Sequence, residues 1–323
     1  MAMKERALIT GIYGSGSSYV AEHILENYPE VQVWGIARWH SNGVLRNIKN
    51  IKDRLIIREC DLNDISSVIR VLKECMPSKV LHMASTANVR TSFDTPLSVM
   101  QNNVMGTANL FEAIRMVCPE TVIQLCSTSE VYGNPVEYPM TENHPMRPVN
   151  PYSASKLGQE AVAYAWSQSW KLKTVITRSF AYLNFKRKDI FSTAFALQVA
   201  RIEAGKQSVL KHGNLDSIRT LMHVSDMASA YWVACEKCDY NTPYNIGGKD
   251  VISVGEFLDI LKGHAKVEIP CEEDKLLLRP KDVDRQVCDV SKFLKKTGWQ
   301  PKYNLEESIL KLLNDCREEV KSE

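Results

Sequence analysis

The sequence predicts an α/β fold, a doubly wound parallel sheet carrying a smaller carboxy-terminal substrate-binding domain. Two observations lead there. Short apolar runs rich in β-branched residues recur at positions 7–10, 31–36, 55–57, 80–84 and 122–125, with enough chain between them for a helix each time. Strands alternating with helices at this spacing pair in parallel, because each crossover helix returns the chain to the same end of the sheet. The first run also leads without a break into Gly11-Ile12-Tyr13-Gly14-Ser15-Gly16-Ser17, after which Tyr19, Val20, Ile24 and Leu25 follow at helical spacing.

That first unit carries the earliest chemical signal. A strand, a glycine-rich turn and a helix start supply close backbone approach and free N–H groups, which a dinucleotide pyrophosphate needs. Gly11, Tyr13, Gly14, Ser15 and Gly16 are therefore expected to hold a dinucleotide in a Rossmann arrangement. Ser17 stands where a third glycine is usual, so helix and strand are expected to pack slightly further apart there. The second strand ends at Ala37-Arg38-Trp39-His40-Ser41. An acid there would take the adenosine 2′-hydroxyl, whereas an arginine accommodates a 2′-phosphate. Arg38 thus favours NADP over NAD. Asp61-Leu62 after the third strand supplies an acid for the adenine amino group, Met83 and Ala84 end the fourth strand, and Asn103 precedes a helix at about 105–115. All are cofactor-side candidates. His82, in its apolar strand, reads as a packed or cofactor-side histidine, since no partner has metal-ligand spacing.

The fifth run delivers Cys126-Ser127-Thr128-Ser129-Glu130, and Pro151-Tyr152-Ser153-Ala154-Ser155-Lys156 leads into a helix over 153–170. Tyr152 and Lys156, four apart, share one helix face. An ammonium beside a phenol favours the phenolate, so Lys156 is expected to lower the Tyr152 pKa from its usual value of about 10. Tyr152 is then an acid/base, Thr128 holds the oxygen whose proton Tyr152 handles, and Glu130 is a second, separate base. Tyr-x-x-x-Lys alone is a weak pattern. Its place after a strand ending in Thr128 and Glu130 gives it weight.

With Gly11-x-x-Gly14, Asp61-Leu62, Thr128-Ser129-Glu130 and Tyr152-x-x-x-Lys156 in this order, the chain resembles the extended short-chain dehydrogenase/reductases that act on nucleotide sugars. The likeness runs over essentially the whole length. The first half looks like the GDP-mannose 4,6-dehydratases, through positions 7–12, 35–38 and 127–133. The second half is similar to those enzymes and to the GDP-4-keto-6-deoxy-mannose reductases. It is carried by Gly213-Asn214-Leu215-Asp216, Arg219, Tyr244-Asn245-Ile246, Leu278-Arg279-Pro280-x-Asp282-Val283-Asp284 and Thr297-Gly298-Trp299-x-Pro301.

The resemblance implies catalytic roles for Thr128, Glu130, Tyr152 and Lys156, the last also on the nicotinamide ribose. It implies that Ser129 contacts substrate, that Arg219 and Arg279 hold the nucleotide diphosphate, and that Asp282 reaches the ribose hydroxyls. Guanidinium forks suit paired phosphate oxygens. The implied reaction is the NADP-dependent dehydration of GDP-mannose to GDP-4-keto-6-deoxy-mannose. NADPH-dependent reduction of the 4-keto sugar, 4-epimerisation, and non-catalytic nucleotide-sugar binding are the alternatives. Glu130 tilts the reading to dehydration, because a reductase needs no base there and a buried carboxylate without a task is costly. Departures cluster on the substrate side. Ala181-Tyr182 stands where the family has Asn-His, Thr220-Leu221 where it has Asp-Trp or Asp-Phe, and Phe195 where dehydratases carry a base-contacting lysine. The dinucleotide-binding part is expected over 1–178 and 222–250, and the nucleotide-sugar part over 179–221 and 251–323. A homodimer or homotetramer is implied, with Leu110, Ile114, Ala161, Ala165 and Trp166 as its surface.

Composition fits this picture. A 323-residue chain with 44% hydrophobic and 24% charged residues is ordinary for a globular protein, and a formal charge of +2 argues for neither nucleic acid nor an anionic membrane as partner. No apolar run reaches the length of about eighteen residues needed to span a bilayer. Residues 1–6 lead straight into the first strand with no signal-peptide core, and nine cysteines lack framework spacing, so a reducing, cytoplasmic setting is expected. Cys235 and Cys238 read as two helix-face thiols. Ser253 with Glu256 reads as a capping box opening a late helix, and residues 311–323 as a frayed, charged tail.

Overall fold

A computed structural model describes residues 5–39, 41–278 and 283–323. Arg279 and Asp282 lie outside the described residues. The amino-terminal part alternates β1 (Arg6–Thr10), α1 (Ser15–Asn27), β2 (Gln32–Ala37), β3 (Ile56–Glu59), α2 (Ile65–Cys75) and β4 (Lys79–His82). It continues through α3 (Val89–Asp94), α4 (Pro96–Met100), α5 (Gly106–Val117), β5 (Val122–Thr128), α6 (Pro151–Trp170) and β6 (Lys173–Ser179). Then come β7 (Ala181–Leu183), α7 (Phe191–Glu203), β8 (Leu210–His212), β9 (Ile218–His223), α8 (Val224–Lys237) and β10 (Thr242–Ile246). The chain ends with β11 (Asp250–Ser253), α9 (Val254–Gly263), β12 (Cys271–Glu273), β13 (Arg285–Gln286), α10 (Ser291–Thr297) and α11 (Leu305–Lys321).

Seven strands form one parallel sheet in the order β10-β6-β5-β4-β1-β2-β3. The expected doubly wound α/β fold is what the chain adopts. Alternation along the strands explains why both faces are covered. Ala7 and Ile9 of β1 pack into a core with α1 and α8, while Leu8 between them packs into a second core with α2, α5 and α6. Strand order reverses between β1 and β4, so their carboxyl ends open a crevice, the usual ligand position in such sheets.

A second, smaller sheet joins β9 to antiparallel β11 and to parallel β13 and β7. A third core backs it, built from Phe195, Leu197, Phe257, Leu261, Ile309, Leu312 and Leu313 of α7, α9 and α11. The Ser253–Glu256 capping box forms, with Glu256 N donating to Ser253 Oγ at 3.0 Å and Ser253 N donating to Glu256 Oε2 at 2.6 Å.

Three expectations are corrected. Residues 311–321 are not a frayed tail but the last turns of α11, whose Ile309, Leu312, Leu313, Cys316 and Val320 are buried at helical spacing. Arg317 pairs with Glu203 at 2.6 Å and Arg201 with Glu323 at 2.7 Å, closing that end. The helix expected from residue 153 starts at Pro151, because Asn150 caps it through Ser153 N at 2.8 Å and proline suits the first helical position. Leu110 and Ile114 are fully buried in the second core, so they offer no association surface; Ala161 and Ala165 are exposed, and Trp166 is half-buried, donating to Glu112 at 3.1 Å.

All nine cysteines are free thiols, with Cys235 and Cys238 buried on α8 and at its end. Among the described residues, no cluster of His, Cys, Asp and Glu could hold a metal ion, and no helix is long and apolar enough to cross a membrane.

Candidate active site

One cleft of about 1460 Å³ runs from the carboxyl ends of β1, β2 and β4 past β5 and α6 to the small sheet. Gly11, Tyr13, Gly14, Ser15, Gly16, Arg38, Asp61, Leu62, Met83 and Ala84 line its first part. Thr128, Ser129, Glu130, Tyr152 and Lys156 line its middle, and Arg219 its far end. Residues scattered over more than 200 positions of sequence thus meet on one surface.

The glycine turn is shaped for close approach. Gly11 has φ +67°, which favours glycine, and a Cβ there would lie 3.0 Å from Ala84 Cα. A Cβ on Gly14 would lie 2.7 Å from Ser17 Oγ. Gly14 is the N-cap of α1 and no side chain caps it, so first-turn N–H groups face the cleft. The Ser17 hydroxyl donates to Gly11 O at 2.5 Å, stitching the turn to the helix. A dinucleotide pyrophosphate fits this cradle on the protein's own geometry. Asp61 Oδ1 takes the Asn63 N–H at 2.9 Å, which fixes the carboxylate at the cleft edge.

Asn103 is a correction. It is fully buried behind the wall, where Oδ1 accepts from Thr86 N at 2.8 Å and Nδ2 donates to Ser155 Oγ at 2.8 Å. Its neighbour Asn102 reaches the cleft instead. A side chain with its amide engaged on both ends is a brace for α6, not a cofactor contact.

Thr128 ends β5 and caps the short turn Ser129–Tyr132, its Oγ1 accepting from Glu130 N at 3.3 Å. The hydroxyl proton remains for a substrate oxygen. Glu130 Oε2 accepts from Asn150 Nδ2 at 3.2 Å, so the residue that caps α6 also aims the carboxylate. Behind them lies a buried ion pair, Arg178–Glu160 at 2.7 Å, to which the Ser127 hydroxyl donates. Arg178 Nη1 donates to Tyr132 Oη at 3.1 Å, and that phenol to Asn245 Oδ1 at 2.7 Å. The pair is fully hydrogen-bonded, as a buried charge pair must be, and it ties β5, α6 and β6 beneath the site.

Lys156 does not do what its spacing suggested. Its ammonium donates to Cys126 O at 2.5 Å and to Gln159 Oε1 at 2.5 Å, and burial pushes its pKa down. Gln159 in turn donates to Thr107 Oγ1 at 2.6 Å, which lies 2.8 Å from His82 Nε2, while His82 Nδ1 lies 2.9 Å from Thr10 Oγ1. Thr10 Oγ1 accepts from Met83 N and Ala84 N, so its proton goes to His82 Nδ1 and fixes the Nε2–H tautomer. Burial pushes His82 down to about 3, keeping it neutral. His82 is therefore packed, as expected, and one chain of hydrogen bonds links Lys156 to the floor of the glycine turn.

The Tyr152 phenol is raised, not lowered. Burial dominates, the neighbouring Cys126 adds to it, and the opposing cation is Arg187 rather than Lys156. Among the described residues its hydroxyl has no hydrogen-bond partner. Arg187 donates to Ala87 O at 3.0 Å and to Asp189 Oδ1 at 3.0 Å, bridging the two walls of the cleft. Tyr182, at the departure Ala181-Tyr182, sits with its Oη 3.3 Å from where a Gly16 Cβ would be, and burial pushes its pKa up to about 12. Arg187 and Gln159 escaped sequence reasoning. The basic triplet Lys186-Arg187-Lys188, and polar residues at otherwise apolar helix positions, were the available signals.

The profile of the family described as GDP-mannose 4,6 dehydratase matches residues 8–312. The chain belongs to that family. The GDP-mannose 4,6-dehydratase of Yersinia enterocolitica is 27% identical over 348 residues, covering 96% of this chain and 93% of that one. The GDP-6-deoxy-D-mannose reductase of Pseudomonas aeruginosa is 28% identical over 252 residues, covering 77% and 83%. Among solved structures, the RMD of Pseudomonas aeruginosa complexed with NADPH superposes with a TM-score of 0.85 at 23% identity, covering 98% and 99%. This last likeness is one of fold. Membership of the GDP-mannose 4,6 dehydratase family agrees with a cleft that joins a dinucleotide cradle to a Thr-Glu-Tyr-Lys set.

Proposed function

We propose that the protein is an NADP-dependent nucleotide-sugar 4,6-dehydratase that converts GDP-mannose to GDP-4-keto-6-deoxy-mannose. The observation that carries this reading is Glu130, a carboxylate aimed by Asn150 into the same cleft as Thr128 and Tyr152. Family membership supports it. A nicotinamide, when bound, supplies the hydride acceptor and donor. Tyr152 Oη takes the proton of the sugar 4-hydroxyl once its own proton has left to solvent, which the nearby Arg187 cation favours, and Thr128 donates to the same oxygen. The resulting ketone acidifies C5. Glu130 removes that proton and gives it to the leaving 6-hydroxyl, which departs as water; the proton taken from the 4-hydroxyl is balanced by reprotonation at C5. Lys156 anchors the ribose side and Arg219 the diphosphate. Residues 1–178 and 222–250 hold the cofactor in this reading, and the remainder holds the nucleotide sugar.

Incubation with GDP-mannose and no reductant tests the proposal. A product lighter by one water is expected. An untouched GDP-mannose, with reduction of GDP-4-keto-6-deoxy-mannose by NADPH, would select the reductase reading, which similarity to the Pseudomonas reductase favours.

Arg38, at the end of β2 on the cleft edge, supports NADP over NAD. Arg38→Ser is expected to weaken NADPH binding about tenfold or more, a charge-assisted hydrogen bond being worth about 1.5–3 kcal/mol, and to leave NADH binding nearly unchanged. Fluorescence titration with both cofactors reads the ratio; equal losses for the two would remove Arg38 from cofactor selection. A homodimer or homotetramer is supported by the exposed apolar residues Leu97 of α4, Met105 before α5 and Tyr164, Ala161 and Ala165 of α6.

A further inference from the structure

Residues 186–189, between β7 and α7, join the two banks of the crevice that holds the glycine turn. On the α1 bank, Lys186 Nζ donates to Ser18 Oγ at 3.1 Å, to Glu22 Oε1 at 2.6 Å and to Asn47 O at 2.9 Å. Asn47 Nδ2 in turn donates to Tyr13 O at 2.9 Å, so this anchor is continuous with the glycine turn. Lys188 adds an ion pair to Glu319 of α11.

The opposite bank is the loop after β4. Ala84 in that loop lies against Gly11, and Ala87 and Asn88 follow shortly after it. Arg187 reaches Ala87 O, and Asp189 Oδ2 accepts from Asn88 Nδ2 at 2.7 Å. Arg187 and Asp189 also pair with each other, so the two contacts form one latch. The banks differ in solvation. The Lys186 side chain is 15% exposed and that of Asp189 40%, so water competes for the latch more than for the anchor. Solvent-exposed hydrogen bonds are the ones that open locally, which makes the Asp189 end the free one. Ala87, Asn88, Lys186, Arg187 and Asp189 line the same cleft as the Gly11–Gly16 cradle. A dinucleotide seated in that cradle lies between banks that this segment ties together.

We propose that residues 186–189 are a strap over the cofactor crevice, anchored at Lys186 and latched through Asp189 to Asn88, which must unlatch for the dinucleotide to enter or leave. This rests on the dinucleotide reading of the glycine turn. The same latch closes over the empty and the loaded crevice, so it governs the rates of exchange rather than the affinity.

The test uses the whole protein and Asn88→Ser. Serine can still cap α3, where Asn88 Oδ1 now accepts from Thr91 N at 2.9 Å, but it is too short to reach Asp189 and it leaves the charge unchanged. NADPH fluorescence in stopped flow reads entry, and a chase with NADP⁺ reads release. Both rates are expected to rise about tenfold, the value of a hydrogen bond to a charged group, with Kd staying within about twofold. Asp189→Ala breaks the latch from the other side. It is expected to speed release as well, although removing a negative charge by itself would hold the anionic cofactor longer. Unchanged rates in both variants would overturn the strap and leave the dinucleotide reading standing. Faster release alone, with Kd weakened to match, would also overturn it, since Asn88 and Asp189 would then be contacts and not a gate. A native protein that binds neither NADPH nor NADH would overturn both.

Discussion

Glu130→Gln is expected to lower turnover of GDP-mannose by about 10²–10⁴-fold, the range for a positioned acid or base, and to leave NADPH binding intact. Glutamine matches glutamate in shape, and its amide oxygen can still accept from Asn150 Nδ2, the contact that now measures 3.2 Å. The fold should therefore survive, so a loss of rate reports lost proton transfer. Carried out in deuterium oxide, native turnover should place solvent deuterium at C5, and residual product from the variant should form at the reduced rate. Unchanged turnover would remove Glu130 as the base, and with it the observation that carries the dehydratase reading.

Tyr152→Phe is expected to lose about 10²–10⁴-fold in rate for dehydration and for any reduction alike. Among the described residues its hydroxyl makes no hydrogen bond, so deleting it breaks no internal contact and Tm should stay within a degree or so of the native value. Burial holds the phenol above its ordinary pKa, opposed by Arg187. Its proton therefore stays on through neutral pH in the free protein, and the group is a ready acid that needs help to act as a base. Retained activity in this variant would move the proton-transfer role elsewhere, with Tyr182 on the same cleft wall the first candidate.

Much of this was legible in the sequence, for reasons that are local. The turn from Gly11 to Ser17 follows from glycine's permissive backbone next to a strand and a helix, and it folds as read. The Ser253–Glu256 box depends on two side chains three apart, and it forms. Failures came where distant residues decide. Four-residue spacing put Tyr152 and Lys156 on one helix face, but not which neighbour the ammonium prefers; Cys126 O and Gln159 take it. Asn103 had the right chemistry beside the right helix, yet Ser155 and Thr86 claim its amide. In α11 the apolar positions Ile309, Leu312, Leu313, Cys316 and Val320 keep helical period, but the charges between them masked the stripe.

The central claim is a redox-neutral elimination in which the hydrogen removed from C4 returns to C6 of the same molecule. GDP-mannose deuterated at C4 tests it, turned over with NADP⁺ and no reductant and read by mass spectrometry with fragmentation of the sugar. The account requires a product lighter by one water that keeps its deuterium, now on C6. Deuterium lost to free NADPH, or a sugar that stays undehydrated while a 4-keto substrate is reduced, would contradict it.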